Sequence, residues 1–151
     1  MLRAGDTAPD FTLPDQDGKP VTLSELLVNG PVVLFFYPAA FTPGCTAESC
    51  HFRDLAGEFA QYGAQRLGIS ADRVDKQRAF ADKHSFDYPL LSDPDRTVAE
   101  AFGVRRRFGP TPVKRATFVI GTDGTIVEAI ASELRMDKHA DDALAALKLN
   151  L

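Results

Sequence analysis

"PVVLFFYP", residues 31–38, is the stretch on which the fold turns. The run is apolar throughout, rich in β-branched and aromatic side chains, and bounded by prolines. It lacks the alternation of a strand with one wet face and is too short for an amphipathic helix. Such a run predicts a strand buried on both faces, which belongs in the middle of a sheet covered by helices on either side.

Working outward, the C-terminal side alternates. Phe52, Leu55, Phe59 and Tyr62 recur at spacings of three and four, which predicts one helix from Cys45 to about Tyr62, closed by Gly63. "AQRLGIS" reads as a strand, "RVDKQRAFADKH" as a helix, "YPLLSDPD" as a strand running into a turn, and "RTVAEAFG" as a helix. "RATFVI" and "TIVEAIA" flank "GTDG", a hairpin signal, and Asp137 is placed to cap a closing amphipathic helix, "KHADDALAALKL". On the N-terminal side, "DGKPVTLSELL" predicts a turn at Asp17-Gly18, an extended run Val21 to Leu23, and Ser24 as the N-cap of a short helix ending before Asn29-Gly30. Parallel βαβ units followed by an antiparallel hairpin predict an α/β fold, with a mixed central β-sheet flanked by helices, in one domain over residues 1–151.

Composition narrows the function. Lys and Arg total 17 against 21 Asp and Glu, a net charge of −4, which argues against a nucleic-acid or anionic-membrane partner. The opening "MLRAGDTAPDF" carries no apolar leader segment, and no run approaches a membrane span, so a cytoplasmic location is expected. In a reducing compartment two cysteines point to catalysis or sensing before a permanent staple.

Both cysteines fall in "FTPGCTAESC", residues 41–50, which joins the buried strand to the next helix. Ligand sites in α/β sheets form at such junctions, beyond the carboxyl ends of strands. Thr42 is placed as N-cap, Pro43 suits the first helical position, and Gly44 sets Cys45 third, where a capping box carries a carboxylate. A Cys45 thiolate would take that anion's place, favoured by the helix N-terminus by roughly 0.3–1 kcal/mol. That is too little for a fast nucleophile, and Glu48, one turn on, opposes the negative charge. A cation must stand nearby. Arg115, heading "RATFVI", is held more rigidly than Arg105, Arg106 and Arg107 of the loop "GVRRRFGPTPVK", which read as solvated surface charges.

The stretch "PAAFTPGC" resembles the P-x-x-x-T-x-x-C motif of the peroxiredoxins, with Pro38, Thr42 and Cys45 in place. "FTLPDQDG", "VVLFFYP", "FTPGCTAESCHFRD", "LLSDPD", "AFGV" and "RATFVI" follow in the order of the bacterioferritin-comigratory or Q-type subfamily, over nearly the whole chain. The resemblance implies a thioredoxin-like fold and a thiol-dependent peroxidase acting on hydrogen peroxide and organic hydroperoxides. It implies Cys45 as the peroxidatic cysteine, Cys50 as the resolving one, and an intramolecular Cys45–Cys50 disulfide recycled by thioredoxin or a similar dithiol. It further implies that Thr42, Arg115 and the backbone around Gly44 and Cys45 hold the peroxide, while Pro38 shields the sulfur, with no metal or organic cofactor. Gly121 departs from the aspartate common in the family. A closely spaced cysteine pair favours a monomer, with a dimer as the alternative.

Other chemistries fit less well. A Cys2His2 zinc site lacks histidines at matched spacing, and four residues separate the cysteines where a thioredoxin motif has two. On a continuous helix six residues turn His51 about 240° from Cys45, so His51 reads as a surface or hydrogen-bonding residue and not as a catalytic base. The rival of another class is a redox-sensing or holdase-like interaction protein, from which rapid turnover with a recycling system distinguishes an enzyme. Five residues of helix would hold the two Cα atoms about 8–9 Å apart. A disulfide tolerates only about 4.4–6.8 Å, so bridging demands that the first turn and a half unwind.

Overall fold

The computed structural model describes residues 1–109 and 111–150. The central strand is β3 (Val32–Phe36), and every one of its residues is buried, as the unbroken apolar run requires. It pairs in parallel with β4 (Gln65–Ser70), which pairs in parallel with β5 (Leu90–Ser92). On its other side β3 pairs antiparallel with β6 (Ala116–Ile120), and β6 with β7 (Ile126–Ala131). The five-stranded sheet is therefore mixed, in the order β5-β4-β3-β6-β7.

Strand geometry divides the core in two, because successive side chains point to opposite faces. Val33, Phe35 and Tyr37 pack on one side with Phe52 and Phe59, with Phe80, and with Ala140, Ala143 and Leu147. Val32, Leu34 and Phe36 pack on the other with Leu23, Val98, Phe102 and Phe118. The first face is covered by α2 (Pro43–Asp54), α3 (Ala56–Gln61), α4 (Val74–His84) and α6 (Met136–Asn150), and the second by α1 (Leu23–Leu26) and α5 (Thr97–Ala101). The expected alternation of strand and helix and the closing hairpin are borne out. Gly124, at φ 84, supplies the left-handed residue that the "GTDG" turn needs, and Gly121 accepts its N–H.

Four local expectations are corrected. The helix predicted from Cys45 to Tyr62 is two helices, broken at Leu55 (φ −96, ψ 20), where the Phe52 carbonyl accepts Arg66 Nη1 at 2.8 Å. The apolar stripe continues across the break, which is why periodicity did not reveal it. Ser24 does not cap α1, which begins a residue earlier at Leu23; its hydroxyl instead donates to Asp10 at 2.8 Å. Asp137 lies inside the first turn of α6, which starts at Met136, and so meets the helix dipole as a charge and not as a cap. The extended run expected over Val21 to Leu23 is β2 (Pro20–Thr22), because Leu23 already opens α1, and it pairs around the Asp17-Gly18 turn with a short β1 (Thr12–Pro14) that has too few residues to show a pattern.

Candidate active site

The loop leaving β3 is fixed from two directions. Pro38 is buried at its start, and the Ala40 N–H donates to Asp72 Oδ2 at 2.7 Å, a carboxylate that also accepts the Ser70 hydroxyl. Phe41 then adopts φ 68, a left-handed conformation uncommon for a bulky residue, and turns the chain into α2. Thr42 occupies the N-cap position with extended dihedrals, and its carbonyl accepts the Thr46 N–H. Its hydroxyl does not cap the helix as expected; it donates back to the Ala39 carbonyl at 2.8 Å. Pro43 and Gly44 follow, and Cys45 stands third in α2, fully buried.

Arg115 is the cation that the sequence argument demanded. From the end of the loop before β6 its Nη2 donates to Cys45 Sγ at 3.2 Å, and its Nη1 donates to Glu48 Oε1 at 2.8 Å. One guanidinium thus bridges the thiol and the carboxylate one turn below it. Gly44 leaves room for the approach, since a Cβ there would lie 3.3 Å from Arg115 Nη2 and 3.4 Å from Met136 Sδ and would press the guanidinium aside by a few tenths of an ångström. The backbone N–H of Arg115 donates to Glu133 Oε1 at 3.1 Å, and the same oxygen accepts Arg106 Nη2 at 2.6 Å. Arg106 is therefore not a free surface charge. Arg105 and Arg107 are paired as well, both with Glu100.

Beneath Arg115 lies a buried polar group that pattern reading missed. Burial pushes the Glu48 carboxyl up to about 8 against the opposing pull of Arg115, and its Oε2 finds no hydrogen-bond partner among the described residues. His139 Nδ1 stands 3.6 Å from that oxygen and accepts the Thr117 hydroxyl at 2.8 Å. Its Nε2 donates to the Ser132 carbonyl at 2.8 Å, which fixes the neutral tautomer, and burial lowers its pKa further. Thr117 and His139 lie on β6 and α6, far from the cysteines in sequence, and nothing in their own neighbourhoods marks them.

Cys50 lies in the same helix, half-buried against the first core cluster, and both thiols are free. Burial raises the pKa of the Cys50 thiol. Tyr88 donates its hydroxyl to the Ser49 carbonyl at 2.7 Å, and Phe52 stacks on Phe35 with ring centroids 4.2 Å apart, so the middle of α2 is anchored to the sheet. His51 points elsewhere, to Asp141 of α6 at 2.8 Å, as its helical phase requires. Among the described residues no cluster of three or more His, Cys, Asp or Glu could hold a metal ion, and no helix is long and apolar enough to cross a membrane.

A mixed sheet with a buried cysteine in the first turn of the helix that follows its central strand, held against an arginine, is an arrangement of the thioredoxin-like fold suited to a thiol enzyme. The AhpC/TSA family model matches residues 4–129, and the chain belongs to that family as a peroxiredoxin, a peroxidase among the oxidoreductases. A peroxiredoxin of Mycobacterium tuberculosis strain H37Rv is 60% identical over 149 residues, covering 97% of each chain. Peroxiredoxin Bcp of Escherichia coli K12 is 41% identical over 152 residues, covering 97% of this chain and 96% of its own. The crystal structure of peroxidoxin BcpB from Mycobacterium tuberculosis superposes with a TM-score of 0.95 at 59% identity, covering 100% of this chain and 99% of that one. The bacterioferritin comigratory protein of Xanthomonas campestris, described for alkyl peroxide reduction, gives 0.84 at 35% identity, with 92% and 90% covered. The resemblance to the bacterioferritin-comigratory and Q-type peroxiredoxins is shown.

Proposed function

We propose that the protein reduces hydrogen peroxide and organic hydroperoxides with Cys45 as nucleophile and Cys50 as resolving thiol, and that thioredoxin or a similar dithiol completes the cycle. The observation that carries this reading is the single guanidinium of Arg115 held against both Cys45 Sγ and Glu48. The Cys45 thiolate attacks one peroxide oxygen in line with the O–O bond; a new S–O bond forms, the O–O bond breaks, and the other oxygen leaves as hydroxide or alkoxide and takes up a proton. Arg115 and the first N–H groups of α2 stabilise that departing charge. The Thr42 hydroxyl proton is already committed to Ala39, so its oxygen is free to accept a hydrogen bond from the peroxide O–H. Pro38, buried at the start of the loop, shields the sulfur from water.

Cys45 leaves this step as a sulfenic acid. The Cys50 thiolate attacks its sulfur, water departs, and a disulfide forms, which dithiol exchange then reduces. With both cysteines inside α2, about 8–9 Å apart at their Cα atoms, the bridge requires the N-terminal turns to unwind. The cysteines thus belong to a switch between two local structures in one chain, and a cytoplasmic monomer suffices for it.

Intact mass after one equivalent of peroxide tests the scheme. The wild type should lose two hydrogens, Cys50→Ser should gain one oxygen, and Cys45→Ser should do neither and consume no peroxide. Wild-type consumption by Cys45→Ser would overturn its role, and undiminished thioredoxin-coupled turnover by Cys50→Ser would remove Cys50 from the cycle.

A further inference from the structure

A second charged site lies away from the cysteines. A cavity of about 480 Å³ is lined by Arg96, Arg105, Arg106, Arg107 and Glu100, so four guanidinium groups meet a single lining carboxylate in a chain whose net charge is −4. Arg105 and Arg107 share that carboxylate, at 3.9 and 3.2 Å, and Arg106 is held by Glu133 from outside the cavity. The Nε atoms of Arg96 and Arg106 are buried with no acceptor among the described residues.

The arginines stand on a fixed frame. Arg96 takes φ 58, and its backbone N–H donates to the Asp93 carbonyl at 2.9 Å. Arg105 forms a bridge with Val113, and the Arg106 N–H donates to the Pro112 carbonyl at 2.8 Å, which pins the base of the loop. A pre-formed set of guanidinium forks loses little on binding, and each fork matches two oxygens of a phosphate or carboxylate.

We infer that this cavity is a binding site for a small polyvalent oxyanion of the kind a diphosphate group presents. Four guanidinium groups against one lining carboxylate call for several oxygens and more than one negative charge on one ligand, which a single carboxylate or a halide cannot offer. The site is independent of the peroxidase reading, because binding is measured without turnover.

Calorimetric titration of the reduced full chain with inorganic pyrophosphate at low ionic strength tests it. One saturable site is expected, weakened by about tenfold or more in Arg96→Ala and in Arg107→Ala, and unchanged in Arg78→Ala, an exposed arginine of α4 outside the cavity. Arg107 is 76% exposed, so its truncation leaves the fold intact, and thermal melts of each variant verify this. Absence of saturable binding, wild-type affinity in either cavity variant, or equal weakening by Arg78→Ala overturns the assignment. Binding of a polyglutamate peptide without pyrophosphate binding also overturns it, in favour of an acidic protein partner.

Discussion

At the scale of single residues, the site depends on one side chain reaching two others past a position with no side chain. Gly44→Ala is expected to leave the fold in place, since the crowding atoms are the ends of Arg115 and Met136, but to displace the guanidinium from Cys45. Single-turnover oxidation by peroxide should slow by about tenfold or more, the scale of losing a charge-stabilising donor. Arg115→Ala should slow it further, whereas Arg107→Ala should not change it. Cys45, Thr42, Pro38 and the need for a cation were legible because the chemistry is written in one contiguous motif and in the obstruction that Glu48 poses. Glu48's other neighbours were not. Thr117, His139 and Glu133 reach the site only through tertiary folding, and a buried histidine accepting from a threonine has no signature along the chain.

At the scale of elements, the proposed disulfide switch asks that α2 be stable enough to position Cys45 and weak enough to open. Its anchors are the Tyr88–Ser49 hydrogen bond and the packing of Phe52 on Phe35 and Phe59. Tyr88→Phe removes the first and keeps most of the ring packing, so it should speed disulfide formation after peroxide while lowering stability by about 1 kcal/mol. Hydrogen exchange in the two redox states should show faster exchange around Cys50 in the disulfide form and little change in β3 and β4. Identical exchange would refute the unwinding. The major elements were readable because β3 is apolar without interruption and the helices keep their stripes. The break at Leu55 was not, because it arises where Arg66, a strand residue, takes a carbonyl from the helix, and hydrophobic period carries no information about that bond.

For the whole molecule, the buried carboxyl makes stability depend on pH. Glu48 titrates near 8 when folded against an ordinary value of 4.5, so between these the folded chain holds a proton that the unfolded chain has released. Its contribution is complete below about 4.5, falls as pH rises, and is gone above about 8. Denaturant midpoints of the reduced protein should therefore decline from pH 5 to pH 8.5 more steeply in the wild type than in Glu48→Gln, which keeps an oxygen for Arg115 and cannot ionise. The sheet has a broader consequence. Because β3 is buried on both faces and the two clusters share no side chains, it works as a thermodynamic partition between a half that packs around the cysteines and a half that does not. Substitutions on opposite sides should then be free of epistasis. Phe52→Leu and Phe102→Leu should add to within about 0.5 kcal/mol, whereas Phe52→Leu and Phe59→Leu, whose rings lie 5.7 Å apart, should not. A lineage carrying this chain could accordingly revise the Phe102 side of the sheet for temperature or solubility without renegotiating its encounter with peroxide.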